Sequence, residues 1–78
     1  MKVVIAKVGE VLFDGEAHLL TAPGADGVLT VLPRHMPLIT TLVAGDVILK
    51  ESKDSTPRTF PISSGILEVH PGGATVIL

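Results

Sequence analysis

Proline and glycine interrupt this chain so often that no long helix fits. Eight Gly and six Pro fall among 78 residues, and the longest stretch free of both is Asp46–Thr56, eleven residues. Proline inside a helix removes a hydrogen bond and clashes with the preceding turn, and glycine weakens helix and strand interiors alike. Short strands separated by tight turns survive such punctuation. Val, Ile and Thr supply 23 residues, which suits half-buried pleated strands. The pattern is that of an all-β sandwich or barrel in one domain spanning residues 1–78.

Nine β-like runs can be marked between the breaks: Val3–Val8, Val11–Phe13, Glu16–Ala22, Val28–Leu32, Leu38–Val43, Asp46–Glu51, Thr59–Ile62, Gly65–Val69 and Ala74–Leu78. Asp26-Gly27 and Gly72-Gly73 are hairpin signals, and Lys53-Asp54-Ser55 is a polar loop. Several runs are apolar at successive positions: Val3-Val4-Ile5, Val47-Ile48-Leu49, Ile66-Leu67 and Val76-Ile77-Leu78. A sandwich hides only one face of each strand, so part of the other face is expected to be covered by another chain.

Composition removes several function classes. There is no Cys, which excludes a disulfide framework, a thiol nucleophile and a Cys-ligated zinc site. Six Lys and Arg against eight Asp and Glu leave no basic patch for nucleic acid. No apolar run approaches the roughly 18 residues of a membrane span. The start, MKVVIAKVGE, lacks a signal-peptide core and cleavage site. A soluble, intracellular domain is expected.

Candidates for chemistry are few. Asp14, Glu16 and His18 alternate, and in one strand that period would put two carboxylates and an imidazole on one face, a donor set for a divalent metal. The competing reading is a solvated strand face with Gly15, Ala17 and Leu19 turned inward. Ser63-Ser64-Gly65 is not a nucleophile elbow, and Gly24-Ala25-Asp26-Gly27 is not a phosphate loop. Lys50 and Lys53 flank no tight hairpin of the kind a lipoyl or biotinyl carrier needs. No catalytic residue, metal or cofactor is expected.

The most unusual segment is Leu32-Pro33-Arg34-His35-Met36-Pro37-Leu38. Two prolines fix their own φ and push Leu32 and Met36 into extended geometry. The segment reads as a rigid crossover between strands that presents Arg34 and His35. Such a loop loses little entropy on binding, and it serves equally as a plain connection between sheets.

Around this segment the sequence resembles the epsilon subunit of F-type ATP synthases. Thr21-Ala22-Pro23-Gly24-Ala25-Asp26-Gly27, followed by Val31-Leu32-Pro33-Arg34-His35-Met36-Pro37-Leu38-Ile39-Thr40, is similar to that family's V-x-G-x-E/D-G turn and L-P-G-H-x-P-L-L-T segment. Leu12–Glu16, Gly65–Val69 and Thr75–Leu78 resemble its F-S-G-E, G-I/F-L-E-V and closing T-V-L segments. The five matches keep their order and spacing along nearly the whole chain.

The resemblance implies a ten-stranded β-sandwich of two five-stranded sheets. It implies a non-catalytic central-stalk subunit that links the gamma subunit to the c ring and couples proton or sodium flow to ATP synthesis. It places Lys7, His35 and Thr40 toward gamma, and the loop at Gly27, Val28, Leu29 and Thr30 toward the c ring. Gly24, Pro33, Arg34 and Pro37 would shape the loops. The location implied is peripheral, at the cytoplasmic face of a bacterial inner membrane, touching the membrane only through the c ring. An organellar equivalent fits as well.

Four positions depart from the family pattern. Arg34 stands where the family has Gly, which is expected to close off positive φ and to add a charge at the interface. Val28 replaces an acidic residue, Thr30 a common Gly, and Ser64 the first Gly of a pair. The chain also stops where family members continue into a C-terminal helical hairpin. A short natural form or a domain of a longer chain is expected; hairpin-borne inhibition is not assigned, and no nucleotide site is expected without the hairpin. The alternative to the rotor reading is a free-standing metal- or small-ligand-binding β-sandwich.

Overall fold

The computed structural model describes residues 1–78 and contains nine strands and no helix. They are β1 (Lys2–Lys7), β2 (Glu10–Glu16), β3 (Leu19–Gly24), β4 (Gly27–Val31), β5 (Leu38–Leu42), β6 (Gly45–Lys50), β7 (Arg58–Ile62), β8 (Gly65–His70) and β9 (Gly73–Ile77). The ladder runs β2-β1-β9-β8-β5-β3-β6-β7, with β4 on β3. Every pairing is antiparallel except β1 with β9.

One weak link divides the ladder into two layers. β5 meets β3 at a single pair, Gly24 opposite Leu42. On one side lies a five-stranded sheet, β2-β1-β9-β8-β5, and on the other a four-stranded sheet, β4-β3-β6-β7. Pro23 sits where β3 leaves β6 and turns to β5, so its missing N–H interrupts no ladder bond there. Its carbonyl accepts from the Val43 N–H at 2.9 Å.

The count of ten strands implied by the resemblance is corrected to nine. The stretches long enough for another strand, 32–37 and 51–57, carry Pro33, Pro37 and Pro57 or charged and hydroxyl residues, and they join no ladder. The nine runs marked in the sequence all become strands, with shifted ends. β1 ends at Lys7, because Val8 and Gly9 form the turn to β2 and Gly9 takes φ 78°. β2 is seven residues rather than three, since it pairs with all of β1 across a bulge between Ile5 and Ala6. The hairpin turn after β3 is Ala25-Asp26, one residue earlier than expected, and that after β8 is Pro71-Gly72.

Period-two burial builds the core. Val3 and Ile5 of β1, Val47 and Leu49 of β6, and Leu67 and Val69 of β8 alternate with more exposed neighbours. Fourteen buried apolar residues from both sheets make one cluster, and no polar side chain lies within it. Ile5, Leu20, Leu49 and Leu67 are its largest fully buried members. At roughly 1.5–3 kcal/mol per buried aliphatic side chain, this cluster is the main favourable contribution to folding. Two glycines let strands approach closely. A Cβ on Gly73 would collide with the Lys2 carbonyl on the parallel neighbour, and one on Gly24 would lie 2.7 Å from the Gly27 carbonyl oxygen.

Candidate contact surfaces

The two ends of the sandwich differ in their connections. The turns Val8-Gly9, Ala25-Asp26, Val43-Ala44 and Ser63-Ser64 gather at one end. The corner Ala17-His18, the crossover 32–37, the loop 51–57 and the turn Pro71-Gly72 gather at the other.

The crossover is built as expected at its start. The His35 N–H donates to the Leu32 carbonyl at 3.1 Å, closing a turn with Pro33 and Arg34 at its centre. Arg34 takes φ 71°, which makes this a type II turn with arginine where glycine is favoured. The expectation that Arg34 closes off positive φ is therefore corrected. Proline sets the first central position, the closing hydrogen bond holds the second, and the side chain accepts a cost of about 1–2 kcal/mol. The His35 Nδ1 bonds the Met36 carbonyl at 2.8 Å, which makes that nitrogen the protonated one in the neutral ring.

The residues that the resemblance assigns to gamma do not share one patch. Lys7 closes β1 at the four-turn end and pairs with Glu10 at 3.4 Å. His35 lies at the opposite end, on the same cavity as Met1 and Gly73. Thr40 stands opposite Leu67 on the inward side of β5, half-buried, and its hydroxyl donates to the Thr41 carbonyl at 3.3 Å. The four c-ring candidates form strand β4 rather than a loop. Gly27 leaves the turn at φ 128°, Val28 and Thr30 are exposed, and Leu29 packs on the core.

The metal alternative fails on geometry. The chain turns a corner at Ala17-His18, so Asp14 and Glu16 belong to β2 while His18 sits beyond it. Asp14 pairs with Lys2 at 3.2 Å, and Glu16 lies 3.7 Å from the amino group of Met1. No three His, Asp or Glu residues are grouped to hold a metal ion.

Register reveals a surface that no single run shows. On the outer face of the five-stranded sheet, Val11, Ala6, Ile77, Ile66 and Thr41 lie opposite one another in sequence across β2, β1, β9, β8 and β5. Val4 and Ile39 lie in the next row, which also carries Asp14, Thr75 and Glu68. Ile39 is 73% exposed, Val11 63%, Ile77 50% and Ile66 48%. The outer face of the four-stranded sheet is different. Thr30, Thr21, Ile48 and Thr59 line up across it, beside Lys50, Asp46 and the exposed Val28. The apolar doubling at Val4, Ile66 and Ile77 was visible in the sequence; Ile39 and Val11 join them only through the register.

The family model for the ATP synthase delta/epsilon chain β-sandwich domain matches residues 1–78. The chain belongs to this family. The ATP synthase epsilon chain of Herminiimonas arsenicoxydans is 39% identical over 77 residues, covering 99% of this chain and 55% of that protein. The ATP synthase epsilon chain 2 of Burkholderia orbicola (strain AU 1054) is 36% identical over 77 residues, covering 99% and 51%. The chain thus spans about half the length of these relatives. A chain in the cryo-EM structure of the Euglena gracilis mitochondrial ATP synthase, OSCP/F1/c-ring, superposes with a TM-score of 0.86 at 18% identity, over 96% of this chain and 48% of that one. One in the Tetrahymena thermophila mitochondrial ATP synthase, central stalk and c-ring, gives 0.79 at 18% identity, over 99% and 61%. At 18% identity these likenesses bear on the fold alone. They agree with an all-β sandwich.

Proposed function

We propose that this domain acts as the β-sandwich part of a central-stalk subunit of F-type ATP synthase. It links gamma to the c ring and carries torque between ion flow and ATP synthesis. The role is mechanical and non-catalytic. Its place is peripheral, on the cytoplasmic side of a bacterial membrane, reached through the c ring.

The observation that carries the reading is the exposed aliphatic row Val11, Ala6, Ile77 and Ile66 on the outer face of the five-stranded sheet, in a chain whose relatives are named ATP synthase epsilon chains. An exposed apolar row bordered by polar side chains, here Asp14, Thr75 and Glu68, is the pattern of a protein contact. We assign this face to gamma. Lys7 and His35 stand at opposite ends of the sandwich, and Thr40 supports β5 from the inside. The c-ring contact is assigned to the Ala25-Asp26 turn and the exposed Val28 and Thr30 of β4, with Gly27 setting the turn and Leu29 anchoring it to the core. Val28 makes that contact apolar where other family members present an acid.

The test is affinity capture of the tagged chain from its native cell after mild detergent extraction. Recovery of gamma, the catalytic subunits and the c ring is the expected result. Recovery of unrelated proteins in their place would overturn the reading.

A further inference from the structure

β2, β7 and β4 each have a neighbouring strand on one side only. An open edge is a row of unpaired N–H and C=O groups, and native proteins blunt it with charge, proline or a bulge. β2 carries Glu10, Asp14 and Glu16, and Leu12 bulges where its register with β1 shifts. β7 carries Arg58 and Pro61. β4, Gly27-Val28-Leu29-Thr30-Val31, has neither charge nor proline, and its register with β3 runs unbroken through five pairs.

Pro23 fixes which backbone groups of β4 face outward. Its carbonyl accepts from the Val43 N–H beyond the end of β5, and proline has no N–H, so no hydrogen bond joins Pro23 to Val28 opposite it. The N–H and C=O of Val28 therefore point away from β3. By the alternation of an antiparallel ladder, those of Thr30 do the same. None of the backbone bonds outside the ladders reaches residues 27–31.

We propose that β4 pairs with β4 of a second copy of this chain, antiparallel about a twofold axis at Leu29. The strand is self-complementary in that register. Val28 of each copy falls opposite Thr30 of the other, and these are the residues with free outward groups. Four hydrogen bonds form, and no outward group of either residue is left over. Two β-branched side chains meet across each pair, and Val28, 74% exposed in the single chain, gains a neighbour. No charge on the strand meets a like charge. One short strand buries far less than the roughly 800 Å² per partner of a standard interface, so the dimer is weak and concentration-dependent. The pairing needs neither gamma nor the c ring. Because β4 also belongs to the contact assigned to the c ring, the dimer is a state of the free chain.

The test is sedimentation equilibrium with an NMR dilution series on the labelled chain, from micromolar to millimolar. A reversible monomer–dimer equilibrium is expected, with amide shifts on dilution centred on residues 27–31. Isotope-filtered NOEs should join Val28 of one copy to Thr30 of the other. Thr30→Pro removes an outward N–H and no ladder bond, so it deletes two of the four contacts and should weaken the dimer about ten- to a hundredfold. If that variant does not fold, the NOEs in the parent chain decide. A chain that stays monomeric throughout leaves the edge to another protein's strand and overturns the proposal. Dilution shifts centred on Val11, Ile66 and Ile77, or a dimer unchanged in folded Thr30→Pro, would overturn it as well.

Discussion

The two sheets bury their inner faces alike and part company on their outer faces. Inside, both contribute fully buried aliphatics to one core: Val3, Ile5, Leu67 and Val76 from the five-stranded sheet, Leu20, Val47 and Leu49 from the four-stranded one. Outside, the four-stranded sheet shows threonine, lysine and aspartate to water, with Ile48 and the exposed Val28 among them. The five-stranded sheet shows Ile66, Ile77 and Val11 in one row and Ile39 in the next, where Asp14, Thr75 and Glu68 also stand. Folding explains the inner faces and the polar outer one. It does not explain the aliphatic row on the outer face of the five-stranded sheet, because those side chains gain little from burial within this chain. That asymmetry separates residues kept for the fold from residues available to a partner.

The comparison breaks most visibly through the core. Leu67→Ala should cost about 2–5 kcal/mol of stability, the usual range for leucine removed from a packed interior, read by urea or thermal denaturation. Loss of less than 1 kcal/mol would mean that the inner face is not packed as described. Gly73→Ala should also be severe, since its Cβ collides with the Lys2 carbonyl where β1 meets β9. A melting temperature equal to the parent's would contradict that close approach.

The next effect is one of contrast. Ile66→Thr with Ile77→Thr changes two paired residues of the aliphatic face while keeping β-branched side chains. Each half-exposed substitution should alter stability by only about 0.5 kcal/mol. Binding to gamma should nevertheless fall by about 2 kcal/mol or more, as for buried interface anchors. Calorimetry of the variant with purified gamma checks both parts.

The smallest effect concerns a single turn. Arg34→Gly should raise stability by about 1 kcal/mol by removing left-handed strain, again read by denaturation. A drop in stability would show that the arginine side chain supports the fold.

Much of the architecture was legible because proline and glycine are strong local signals. All nine runs between the breaks became strands, and Pro33 and Pro37 did bound a crossover outside the ladder. What escaped depended on partners distant in sequence. β2 looked short because Asp14 and Gly15 are poor strand formers and Glu16 reads as the start of the next run, yet pairing with β1 carries the strand from Glu10 to Glu16. The Asp14, Glu16 and His18 alternation dissolved because the chain turns at Ala17-His18, and a corner has no signature as clear as Gly or Pro. The φ of Arg34 was misread because residue preference pointed one way while the proline before it and the His35 to Leu32 hydrogen bond pointed the other. The contact surface was half legible: Val4, Ile66 and Ile77 stood out in apolar runs, while Ile39 and Val11 needed the register that lines up β5, β8, β9, β1 and β2.

The central claim is that the outer face of the five-stranded sheet, and not that of its partner sheet, meets gamma. Its most direct test is gamma binding measured in parallel for the Ile66→Thr, Ile77→Thr variant and for Ile48→Thr, the same chemical change on the opposite face. Loss of binding in the first with retention in the second, at near-equal melting temperatures, is the predicted result. Equal binding by both variants, or loss confined to Ile48→Thr, would contradict it.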